Sequence, residues 1–115
     1  MAWTHYSEMI VWQKSMDLVD ETYSLISFLP EIERFSLTDQ MRRSAISIPS
    51  NIAEGHSRRS DNEFKQFLSV ARGSVSELET QIFICIRQNY FSQEQAEKAL
   101  ALCTEVRKIL TKLLF

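Results

Sequence analysis

Glycine, proline, cysteine and histidine each occur only twice in 115 residues. So few turn-forming residues exclude a β-sandwich or barrel and favour long helices. Cys85 and Cys103 form no CxxC pair and sit among apolar neighbours. They are expected as buried, reduced thiols rather than as a disulfide framework or a zinc site. His5 falls in an N-terminal stretch expected to fray, and His56 follows a helix end as a loop residue. A di-iron bundle centre needs inward-facing Glu-x-x-His pairs, and the chain has none. It also has no phosphate-cradling glycine loop and no nucleophile paired with a base in a supporting context. No catalytic residue, metal or cofactor is expected, and the chain reads as a non-enzyme. Long apolar runs are missing as well. The longest, Ile82 to Ile86, is far too short to span a bilayer, and the start MAWTHYSEMI lacks the basic and apolar regions of a signal peptide. A cytoplasmic protein without membrane association is expected.

What is present is helical periodicity. A chain of this length makes one domain, residues 1–115, and can bury roughly two-thirds of its unfolded surface without disulfide or metal. Helix 1 is predicted over about residues 9–28, ended by Pro30. Trp12, Met16, Val19, Tyr23 and Ile26 recur at helical spacing and are expected to be its core stripe. Val11, Leu18, Leu25 and Leu29 make a second stripe, more apolar surface than one partner helix needs. Helix 2 is predicted over 36–55, capped by Ser36 and ended by Gly55 in a left-handed conformation. Its core stripe is Leu37, Met41, Ala45, Ile48 and Ile52, and Pro49 is expected to kink it. Helix 3 is predicted over 60–89 behind the capping box Ser60 to Glu63, and helix 4 over 92–114 behind Ser92 to Gln95. Gly73 lies in the middle of helix 3, where it costs about 1 kcal/mol relative to alanine; close approach of another helix would compensate. Four amphipathic helices with short connections predict an all-α, antiparallel up-and-down four-helix bundle.

The stretch Met41 to Arg59, MRRSAISIPSNIAEGHSRR, concentrates the polar candidates. Arg43, Asn51, Glu54 and, on helix 3, Glu77 lie on faces flanked by apolar residues. They read as a paired polar network or an interface that fixes register, with a ligand or anion site as the alternative. Arg42, Arg58, Arg59, Lys65 and Arg72 are the candidate nucleic-acid contacts. Arg58 and Arg59 stand next to the N-terminal end of helix 3, although Asp61 and Glu63 compete there. Residues 40–73 carry six Lys/Arg against three Asp/Glu, whereas residues 1–39 carry two against seven. No aromatic residue interleaves with the basic ones to stack bases, and the net charge of −2 opposes a phosphate partner.

VWQKSMDL (Val11 to Leu18), LTDQMRRSAISIPSNIAEGHSRRS (Leu37 to Ser60) and EFKQFLSVARGSVSELETQI (Glu63 to Ile82) resemble a bacterial four-helix-bundle family. That family is linked to intervening sequences in 23S ribosomal RNA genes and is similar to the accessory protein of diversity-generating retroelements. The resemblance implies a bundle that assembles as a homopentameric ring. In the retroelement branch the ring is strongly basic and binds nucleic acid and a reverse transcriptase; this chain departs from that branch by its acidic balance. The partners expected are therefore further copies of the chain, and RNA, DNA or a nucleic-acid-associated protein. The rival expectation is a scaffold that binds proteins alone.

Overall fold

The computed structural model describes residues 3–115. Four helices carry the fold: α1 (Ile10–Ile26), α2 (Leu37–His56), α3 (Asp61–Arg87) and α4 (Gln93–Leu114). α1 packs against α2 and α4, and α3 packs against α2 and α4. The backbones of the diagonal pairs, α1 with α3 and α2 with α4, stay more than 8 Å apart among the described residues, consistent with an up-and-down bundle around one core.

The ends of these helices follow local chemistry. Ser92 forms a complete capping box with Gln95, and Ser60 accepts the Glu63 amide. α3 stops in a Schellman motif. Asn89 takes φ 64°, the Tyr90 amide reaches back to the Cys85 carbonyl, and the Asn89 amide bonds Ile86. Ser36 does not cap α2; its hydroxyl bonds the Glu33 carboxylate at 2.6 Å instead. Glu33 also accepts the Tyr90 hydroxyl at 2.7 Å, tying the α1–α2 connection to the end of α3. These two hydroxyls lower the Glu33 pKa, and the same carboxylate raises that of Tyr90. α2 runs uninterrupted through Pro49.

The core corrects the reading of α1. Its buried stripe is Val11, Ser15, Leu18, Thr22 and Leu25, not the stripe of Trp12, Met16, Val19 and Tyr23. Ser15 and Thr22 fit because each hydroxyl bonds a carbonyl of its own helix, Trp12 at 2.7 Å and Leu18 at 2.8 Å. From Trp3 onward the N-terminal stretch packs against the bundle rather than fraying. Trp3 packs on the core, and its carbonyl lies 3.1 Å from His56 Nε2, which is half-buried at the end of α2 rather than in a loop. Gly55 is inside α2 without a positive φ. It is there for closeness: a Cβ at this position would lie 2.9 Å from Phe67 Cβ and 3.2 Å from the Phe64 carbonyl. Gly73 is the reverse, with nothing of its own chain within 4 Å of where a Cβ would stand.

Cys85 and Cys103 are fully buried free thiols. Burial pushes the first to about 11 and the second to about 12. With folded values above the ordinary 9.0, their contribution to stability is complete below pH 9 and is lost as the pH climbs toward 11 and 12. Since the thiolate is the nucleophile, iodoacetamide at pH 8 should leave both unmodified in the native protein and modify both in guanidinium. Rapid native modification, read by mass spectrometry, would mean that the core opens readily.

Candidate functional site

The sides of the bundle differ in chemistry. Ion pairs lace the two sides that include α4: Lys14–Glu105 at 2.7 Å and Lys98–Glu21 at 3.5 Å join α1 to α4, and Arg107–Glu79 at 2.8 Å joins α3 to α4. Among the described residues no ion pair crosses from α2 to either neighbour. The candidate surfaces lie on those two sides.

Between α1 and α2 runs an apolar groove of about 310 Å³, lined by Trp12, Met16, Val19, Ile46, Pro49 and Ala53, with Tyr6 and Ser50 at its edge. Of the stripe expected in the core, Trp12, Met16 and Val19 line this groove, while Trp12, Val19 and Ile26 also pack half-buried against the edge of the core. Met16 is 39% exposed, Ile46 41% and Tyr23 47%. The N-terminal turn helps build the groove, since the Tyr6 and Trp12 rings lie 5.4 Å apart. Arg42 caps the Tyr23 end, its guanidinium 5.9 Å from the ring.

Between α2 and α3 the seam is polar. Ser44 donates to Glu77 at 3.0 Å, Ser47 and Ser74 share a hydrogen bond of 2.8 Å, and Asn51 donates to the Ser47 carbonyl and hydroxyl. Arg43 is 78% exposed on its side chain and pairs with Asp39 at 2.9 Å; Glu54 pairs with Arg58 one turn on. The four polar residues singled out in sequence are thus held by separate bonds, Arg43, Asn51 and Glu54 to residues one turn away and Glu77 across the seam to Ser44, not by one another. Beside the seam, Val70, Gly73, Glu77 and Ile84 form an outward stripe on α3, with Val70 53% and Ile84 42% exposed. The seam serines could have been found in sequence from their spacing next to the core stripe. Gln81 could not, because a lone glutamine on a helix reads as surface.

The five basic candidates do not converge. Arg58, Arg59 and Lys65 stand exposed at the α2–α3 end, with Arg58 also 4.7 Å over the Phe67 ring. Arg42 lies about 21 Å from the His56 end of α2, beyond which Arg58 stands, at 1.5 Å per residue. Arg72 turns to α4, donating to Thr111 at 3.3 Å and stacking 5.3 Å over Phe115. No group of three His, Cys, Asp or Glu side chains among the described residues is placed to hold a metal, and no helix is long and apolar enough to cross a membrane.

In sequence, the profile of the 23S rRNA-intervening sequence proteins matches residues 7–112. In structure, the chain is similar to a protein of unknown function from the S23 ribosomal protein family of Bacteroides thetaiotaomicron. The identity is 30%, the TM-score 0.84, and the match covers 91% of this chain and 98% of that one. Curated proteins give no match.

Proposed function

The chain belongs to the 23S rRNA-intervening sequence protein family, and from that premise we propose that it is a non-enzymatic, self-assembling scaffold whose copies join head to tail. The observation that carries this is the presence of two unlike surfaces on adjacent sides of the bundle, both involving α2. One is the apolar α1–α2 groove; the other is the α3 stripe of Val70, Gly73 and Ile84 beside the hydroxyl seam. Two different patches joined copy to copy make a heterologous contact, which closes into a ring when the rotation allows. Five copies is the number the family resemblance implies. The ion-paired α4 sides are ordinary solvated surface and would face outward. Light scattering of the purified protein should give a mass that is a fixed multiple of 13.4 kDa across a dilution series. A monomer at micromolar concentration would sink the proposal.

A second reading, contact with RNA, rests on Arg59 and Lys65, which stand exposed at one end of the bundle without an ion pair among the described residues. A ring repeats that end once per copy, so weak contacts add by multivalency. Fluorescence anisotropy with RNA across a salt series tests it, because each neutralised phosphate releases counterion and steepens the salt dependence. The Arg58→Glu, Arg59→Glu variant should bind roughly tenfold or more weakly at unchanged oligomer mass. Equal binding removes these residues from the site, and no binding by the native protein at low salt leaves a scaffold for proteins alone.

A further inference from the structure

We propose that the pocket between α2 and α3 recognises a guanidinium or ammonium group. It encloses about 170 Å³ and is lined by Gln40, Arg43, Ser44, Glu77 and Gln81. Gln81 is only 6% exposed, and its Oε1 has no hydrogen-bond partner among the described residues. Native structures rarely leave a buried carbonyl oxygen in that condition, and an atom so placed marks where a donor belongs. One turn before it on α3, Glu77 stands at the solvent-exposed mouth. Glu77 receives one hydrogen bond, from Ser44 at 3.0 Å, which leaves most of its carboxylate lone pairs open. Arg43 also borders the pocket; its Nε donates to Asp39 at 2.9 Å, whose carboxylate offsets its charge, and its side chain is 78% exposed, with its Nη groups free to turn to water.

Two acceptors stand open along one side of the pocket, a buried amide carbonyl and a carboxylate a helical turn apart. An anion would meet the Glu77 charge. A divalent metal would find one carboxylate and one amide oxygen, fewer ligands than calcium or magnesium takes. A cationic nitrogen group answers both acceptors at once. Ammonium brings three donors and guanidinium five in a planar fork, and a charge-assisted bond to the carboxylate is the stronger kind. Such a group has two sources, a small free amine or the lysine or arginine side chain of a second copy of the chain. The pocket adjoins the α3 stripe on which a second copy would sit. The chemistry of the pocket does not require assembly, and a monomer that binds the cation would sink the ring while leaving the pocket standing.

Isothermal titration of the native protein with agmatine, which carries one amine and one guanidinium, distinguishes the cases. If the source is a free cation, binding saturates at one agmatine per chain. Glu77→Gln and Gln81→Leu then each weaken it roughly tenfold or more, with melting curves that show both variants folded, while Lys108→Ala, at an exposed position on α4, leaves it unchanged. If a second copy fills the pocket, agmatine fails to bind the assembled protein. The same two variants then raise the concentration at which the oligomer dissociates, and millimolar agmatine raises it in the native protein. Absence of saturable binding together with unaltered assembly in both folded variants overturns the proposal, and so does agmatine binding that neither variant weakens.

Discussion

A chain carrying Met16→Glu and Ile46→Glu together should remain folded and become monomeric. Both residues are partly open to solvent in the isolated bundle, at 39% and 41%, and both line the α1–α2 groove. In a single chain the new carboxylates can stay in water, and glutamate is a good helix former, so the effect on folding should stay within about 0.5 kcal/mol. At a contact between copies the same carboxylates have no partner. Burying an unpaired charge costs several kcal/mol each, so two of them weaken assembly by about 5 kcal/mol or more, roughly four orders of magnitude in Kd. Light scattering should then report 13.4 kDa, with a helical circular dichroism spectrum matching the native one. A native oligomer mass in this variant would mean that the groove faces solvent in the assembly and that the copies meet elsewhere.

The same two residues show how far the sequence could be read. Periodicity placed all four helices within two residues of their ends, because Ser60, Ser92 and the apolar spacing are local signals that the fold obeys. Periodicity also found two apolar stripes on α1, but it could not say which one turns inward. The stripe of Trp12, Met16 and Tyr23 has the larger side chains, whereas the true core stripe is diluted by Ser15 and Thr22. Side-chain size does not by itself decide burial, because large apolar side chains also line surface grooves. The polar candidates were located to the correct helices but not to their partners. Arg43 pairs with Asp39 one helical turn away, a spacing the sequence does offer, whereas Arg72 finds Thr111 across a distance that only the packed bundle defines. Gln81 owes its interest entirely to burial, which no spacing rule exposes.

The two glycines should respond to substitution in opposite directions. In an open helical position glycine to alanine stabilises by about 1 kcal/mol, since alanine loses less backbone entropy on folding. Gly73 is such a position in the single chain, so Gly73→Ala should raise Tm by roughly 4 °C for a domain of this size. At Gly55 the same methyl would stand 2.9 Å from Phe67 Cβ and 3.2 Å from the Phe64 carbonyl. Neither atom can swing away as the tip of a side chain could, so α2 and α3 must separate. Overpacking costs typically 1–3 kcal/mol, enough to cancel the propensity gain and reverse its sign. Gly55→Ala should therefore lower Tm by several degrees, and Gly55→Leu should cost about 3 kcal/mol or more and leave little native protein at 37 °C. Thermal melts followed by circular dichroism decide this, with concentration varied to remove the share due to assembly. A Gly55→Ala variant that melts above the native protein would mean that the helices yield at little cost there. For Gly73, a gain seen only at low protein concentration, and offset by weaker assembly at high concentration, would place the exposed α3 stripe under a neighbouring copy. A gain independent of concentration would leave that stripe in water and would move the second contact of the ring to another side of the bundle.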